Sequence, residues 1–99
     1  MSEDPLQVII DSDAEFFQLL EETRETSFQD DGIPLKYKLL MAMALDASKG
    51  AVNGVTSLAV QAMEAGATKE EVMQAVKVTH YICGVGSVYV AANALKDVL

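Results

Sequence analysis

Thiols are nearly missing from this chain. Cys83 is its one cysteine, so no disulfide can close within it. Positive charge is scarce as well: fifteen acids stand against seven Lys and Arg, a net charge of −8. The imbalance is local. Residues 1–33 hold ten acids and one base, a balance of −9, whereas residues 34–99 hold five acids and six bases, a balance of +1. A chain this poor in cations does not suit a phosphate backbone, which needs Lys and Arg on the contact face, nor an anionic membrane surface. The acidic third reads as a solvated outer face that aids solubility. No apolar run approaches the roughly 18 residues of a membrane span. No basic start followed by an apolar segment marks a secretory signal. The expectation is a cytoplasmic protein with neither nucleic acid nor membrane as partner. No stretch alternates with period two, and no repeat or low-complexity segment is evident.

What is present is apolar residues at helical spacing. At 51% hydrophobic the chain is too apolar to stay disordered. Its 99 residues bound it to one domain, 1–99, of a size at which oligomerisation adds useful stability. The organising stretch runs from Pro34 to Gly66. Pro34 stands at a helix start, and Leu39 to Leu45 is unbroken apolar sequence, LLMAMAL. A helix apolar around its circumference must be covered on all sides. After Gly50 the pattern turns amphipathic: Val52, Val55, Ala59 and Ala62/Met63 fall on one side, Asn53, Ser57, Gln61 and Glu64 on the other. Gly66 suits the left-handed position past a helix end.

The flanking segments read the same way. Asp4-Pro5 resembles a cap and first helical residue, with Leu6, Ile9 and Ile10 on a short face. Ser12 with Glu15 fits a capping box, opening a helix with Phe16, Leu20, Thr23 and Ser27 on a stripe and Phe17 beside it. Asp30-Asp31-Gly32 signals a turn. Thr68 with Glu71 fits a second capping box, followed by Val72, Ala75, Val76, Thr79 and Cys83 on one face. Gly84-Val85-Gly86 breaks that helix. Ser87 is expected to cap the last one, with Val88, Ala91/Ala92, Leu95 and Val98/Leu99 inward. The predicted fold is all-α, a compact bundle of five to six helices: acidic leader helices over 1–33 and a helical core over 34–99.

Four pieces of the core, in order, carry a family resemblance: PLKYKLLMAMAL, the glycine at Gly50, AVQAMEAGATKEEVMQAV and YICGVGSVYVAANAL. From Pro34 through Leu95 the chain resembles the carboxymuconolactone decarboxylase and alkyl hydroperoxidase D-like superfamily. The resemblance implies an alkyl hydroperoxidase D-like helical subunit assembling as a trimer or hexamer. Redox-active members carry a Cys-x-x-Cys pair at the start of the amphipathic helix, a histidine later in that helix and a glutamate on the preceding one. A helix N-terminus lowers a thiol's pKa, and the acid and histidine relay protons. Aligned on the AGAT segment, the cysteines fall at Ala51 and Gly54, the histidine at Leu58 and the glutamate at Leu39. None of these side chains can ionise, attack or shuttle a proton, so the family's peroxidase chemistry does not carry over. The polar set that would hold a lactone acid for decarboxylation is not identifiable either.

Other chemistry has few carriers. His80 and Cys83, three apart on one helix, are candidate catalytic residues: an assisted thiol, or half a metal site completed by a symmetry mate. The competing reading is a core cysteine in the middle of an apolar face with His80 on its edge. Asp46 and Lys49 are spaced for a helix ion pair; together with Ala51, Gly54 and Leu58 they outline a candidate small-molecule pocket. Gly84 to Ser87 before a helix offers amides to an anion, although a helix–helix turn explains it. Tyr81, opposite the apolar stripe, is expected in a subunit contact, and Met41, Met43, Met63 and Met73 as core filler. No cofactor and no metal site is expected. The functional expectation is a homo-oligomeric family member without the redox centre, ligand-binding or structural. The alternative is an enzyme of the same superfamily using another site: peroxide reduction through Cys83, or lactone decarboxylation.

Overall fold

The computed structural model describes residues 4–99, so the first three residues of the acidic leader lie outside the described residues. Six helices follow in order: α1 (Gln7–Ser12), α2 (Ala14–Ser27), α3 (Leu35–Ser48), α4 (Val52–Glu64), α5 (Lys69–Cys83) and α6 (Val85–Leu95). No strand occurs among the described residues, and the chain is all-α.

Local chemistry sets the helix ends, at places other than some of those expected. At α5 the capping box forms as its spacing predicts. Thr68 Oγ1 accepts from the Glu71 amide at 3.0 Å, and Glu71 Oε1 accepts from the Thr68 amide at 2.9 Å. At α2 the cap is Asp13, not Ser12: Asp13 Oδ1 accepts from the Phe16 amide at 3.1 Å. Ser12 is the last residue of α1, and the carboxylate one residue later is the stronger acceptor. Asp4-Pro5 does not open α1; Asp4 Oδ1 accepts from the Leu6 amide at 2.8 Å, and the helix starts two residues past the proline. Pro34 is the N-cap of α3 rather than its first residue. Asp30 reaches across the turn to accept from the Leu35 amide at 2.8 Å, so this acid of the turn is also a cap. Ser87 lies inside α6 and donates to the Gly84 carbonyl at 2.6 Å. Gly84 makes the whole break between α5 and α6, at φ +89°, a conformation that glycine adopts without steric cost.

The core lies among α3 to α6. Val55, Ala59 and Ala62 of α4 are fully buried, and α4 lies against both α3 and α6. Small side chains at these positions let the helix axes approach closely. Around them pack Leu39, Leu40, Met43 and Ala47 of α3, Val72 and Val76 of α5, and Ala91, Ala94 and Leu95 of α6. Of the expected inward stripe, Ala92 on α6 and Leu99 beyond its end are exposed. The apolar run of α3 is not covered all round within the chain: Met41 is 53% and Leu45 62% exposed. Four helices supply only enough neighbours for the Leu39–Leu40–Met43–Ala47 side.

The leader stands apart. Neither α1 nor α2 has a buried residue. They pack on each other, with Ile9, Ile10, Phe17 and Leu20 half-buried. Arg24 bonds Gln61 of α4 at 3.3 Å, and Phe28, just past α2, packs on the core.

Candidate functional site

The α3–α4 junction holds Ala51 and Gly54, the positions at which the family resemblance places a cysteine pair. Gly50 turns the chain at φ +78°, and the Asp46 carbonyl accepts from the Lys49 and Ala51 amides at 3.1 and 2.9 Å. Ala51 is the N-cap of α4 and offers no side-chain cap. The anion at this helix start comes instead from α3. The Asp46 carboxylate lies over Gly54, in the first turn of α4, so closely that a Cβ added to Gly54 would collide with Asp46 Oδ2 and stand 3.0 Å from its Cγ. A negative group at a helix N-terminus is favourable, because the free amides there carry partial positive charge. Asp46 thus sits where a side chain at position 54 would begin.

The rest of the expected pocket is core or surface. Leu39 is buried, and Leu58 is half-buried and packs on the core. Ala51 and Gly54 are half-buried. Lys49 is exposed and does not pair with Asp46; the ion pairs among the described residues are Lys36–Glu71 at 3.1 Å and Lys38–Asp31 at 3.7 Å. Lys49 caps the C-terminus of α3, where the helix is ending and the i, i+3 spacing no longer brings side chains together. The junction therefore offers one carboxylate and no partnered base or nucleophile.

Glu71 is the best-connected acid. The Thr68 backbone amide, and after it the Lys36 ammonium, hold its carboxyl below the usual carboxylate range. The hydrogen bond to Glu71 raises Lys36 above its usual value in turn. This cluster ties the start of α3 to the start of α5. Its role is structural, and the capping-box spacing revealed half of it. Thr56 escaped the sequence reading. Its Oγ1 lies 2.8 Å from the Ala94 carbonyl and 3.2 Å from that of Val52, joining α4 to α6. Its place beside Val55, at the edge of the apolar face, was the available signal.

Cys83 overturns an expectation. It is exposed, not a core cysteine, and His80 is exposed too. Burial on α5 stops at Thr79, and every residue from His80 to Gly86 is exposed. The face that Val72, Val76 and Thr79 begin outruns the core it packs on, because α6 starts immediately after Gly84 and covers only the earlier turns. No hydrogen bond joins His80 to Cys83 among the described residues, and no group of three His, Cys, Asp or Glu is placed to hold a metal ion there. Tyr81 is 86% exposed in the single chain. Of the methionines, Met43 is buried and Met63 packs on the core, whereas Met41 and Met73 are exposed.

Apolar clefts lie away from the junction. A groove along α5 and α6 opens in two clefts of about 230 and 310 Å³, which share Met73, Val76 and Val88. A third cleft, between α3 and α5, is lined by Tyr37, Leu40, Met41, Ala44, Ala75 and Val78.

No curated protein and no solved structure matches the chain. One family model does, described as the carboxymuconolactone decarboxylase family, over residues 14–97. The match starts twenty residues earlier than the Pro34 boundary of the resemblance, and so takes in α2 as well as the core. A helical chain matched over nearly its whole length belongs to the carboxymuconolactone decarboxylase family.

Proposed function

We propose that this protein is a cytoplasmic, homo-oligomeric member of the family that works without its thiol redox centre, as a small-ligand-binding or structural subunit. The observation that carries this reading is the α3–α4 junction. Ala51 and Gly54 stand at the positions of the cysteine pair, and the Asp46 carboxylate fills the space beside Gly54. A carboxylate there repels a thiolate and is a poor nucleophile toward peroxide. The relay positions, Leu39 and Leu58, belong to the apolar packing.

Assembly is supported by the uncovered face of α3 and α5. Tyr37, Met41 and Leu45 on α3, and Val78 and Ile82 on α5, are all exposed, Ile82 by 73%. The α3–α5 cleft brings Tyr37, Met41 and Val78 together. A contiguous apolar face of this kind on a small chain marks a contact surface, and a closed symmetric oligomer is the common way to cover one. A trimer or hexamer fits the family.

The exposure of Cys83 supports a second reading, peroxide reduction at that thiol with His80 nearby. Native mass spectrometry of protein purified from its own cell decides between them, combined with peroxide and lactone assays. The first reading expects a trimer or hexamer with a retained small molecule, or none, and turnover at background. Peroxide turnover lost in Cys83→Ser puts the second reading first, and a stable monomer at micromolar concentration removes the oligomer.

A further inference from the structure

Two unpartnered features of this chain are complementary. The first is the outer face of α2. Phe16 is 46% and Leu19 57% exposed; at i, i+3 they form one ridge, with Glu15 and Glu22 along its flank. Ile9, Ile10, Phe17 and Leu20 are only half-buried, and none of these six residues packs on the core. The second is the α5/α6 groove. Its floor is Met73, Val76, Val88, Ala91 and Leu95, and its polar lining side chains are Lys77, His80 and Lys96, with no acidic side chain among them. Of the seven Lys and Arg, Lys36 and Lys38 pair with acids and Arg24 bonds Gln61. Lys49, Lys69, Lys77 and Lys96 make no ion pair among the described residues, and two of these four border the groove.

We infer that the α5/α6 groove receives α2 of a second copy of this chain, with Phe16 and Leu19 on the apolar floor and Glu15 and Glu22 facing Lys77, His80 and Lys96. The inference rests on the homo-oligomer proposed above and names the segment and the groove that join its subunits. Charge selects the occupant. Residues 1–33 carry −9, and an acidic apolar ridge is what a cation-bordered apolar groove prefers. Cleft size agrees: at about 230 and 310 Å³, the openings stand at or below the low end of the roughly 300–1,000 Å³ of small-molecule pockets. They suit single large side chains better than an enclosed ligand. Helix-in-groove docking reads as anchors at i and i+3 in this way.

The test uses full-length chains in a Cys83→Ser background. One carries Leu19→Cys and the other Ala92→Cys, a position in the groove lining. Mixed under mild oxidation, the two chains are expected to form a disulfide-linked heterodimer in high yield. Sedimentation supplies the second arm. Phe16→Ser with Leu19→Ser should weaken the assembly by more than roughly tenfold. Lys77→Glu with Lys96→Glu should weaken it roughly tenfold at low salt, and adding Glu15→Lys with Glu22→Lys should restore it. Three results overturn the inference while leaving the oligomer standing: an intact assembly in the Phe16/Leu19 variant, disulfides only between two Leu19→Cys chains, or disulfides only between two Ala92→Cys chains. A wild-type monomer overturns the oligomer and the inference together. Circular dichroism of each variant separates loss of assembly from loss of fold.

Discussion

The leader and the body of this protein are built from the same kind of residue and behave differently. In the body, α3 to α6, apolar side chains meet across helices, and Val55, Ala59, Ala62 and Val72 are wholly out of water. In the leader, Phe16, Phe17, Leu19 and Leu20 are as apolar, yet nothing in α1 or α2 is buried. The difference lies in charge density and partner number. The body places its polar residues on the far side of each helix and gives α4 two neighbours. The leader surrounds its apolar residues with acids; α1 packs on α2, and α2 bonds the body through Arg24 and Gln61.

The largest effect should therefore separate core from leader. Met43 is 1% exposed, between α3 and the rest of the core. Met43→Ala removes its packing and leaves a cavity, which costs roughly 2–5 kcal/mol. Leu20→Ala, at an equally apolar but half-buried leader position, should cost under about 1 kcal/mol. Urea denaturation of both variants checks the contrast, and equal losses would mean that the leader belongs to the cooperative core.

Next in size is the α3–α5 cluster. Thr68→Ala removes the hydroxyl that caps α5 and should cost ~1 kcal/mol. The pH dependence belongs to Glu71. Its folded pKa is lowered from 4.5, so its contribution is fully present above about that pH and is lost as pH falls through the folded value. Lys36 has the opposite sign. Its folded pKa is raised from 10.5, so its contribution is present below that pH and lost as pH rises through the folded value. Glu71→Gln should flatten the acid limb of the stability profile. Thr68→Ala should leave that limb in place, because the largest cause of the shift is the Thr68 backbone amide, which alanine keeps. Thermal melts from pH 3 to 6 read both.

A third effect is kinetic. With Cys83 exposed, a maleimide reagent should label it without prior unfolding. Labelling that speeds up on dilution to protomers would place Cys83 near a subunit contact. Labelling as slow as that of a core thiol at every concentration would contradict the exposed end of α5.

The helical class, the six helices and most of the core were legible because each body helix carries its own 3.6-residue pattern, as in Val55–Ala59–Ala62 and Val72–Val76–Thr79. What escaped was set by tertiary neighbours. Cys83 continues the apolar stripe of α5 in sequence, but the stripe extends past the helix that covers it. Asp46 has the spacing to pair with Lys49, yet its side chain lies over Gly54 because the chain doubles back at Gly50, and a local pattern does not show that approach. Asp30 reads as a turn residue and also caps α3 across five residues. That the Asp46 carboxylate fills the space beside Gly54 was not readable from residue type.

The smallest expected effect is the one that most sharpens the comparison. Removing residues 1–11 deletes nearly all of α1, which packs on α2 and contributes no residue to the core. The body loses no capping group, since Asp30 and Thr68 both remain. Helix content per residue should stay close to that of the full chain, and the midpoint of denaturation should shift by no more than about 0.5 kcal/mol, as for changes away from packed features. The cost appears elsewhere. α2 loses the cover of α1, so the truncated chain should be less soluble and bind a hydrophobic dye more strongly. Unfolding of the body in this variant would show that Leu6, Ile9 and Ile10 support the core through α2. A full melt with raised dye binding would show that the leader is a separate acidic unit whose apolar side awaits a partner.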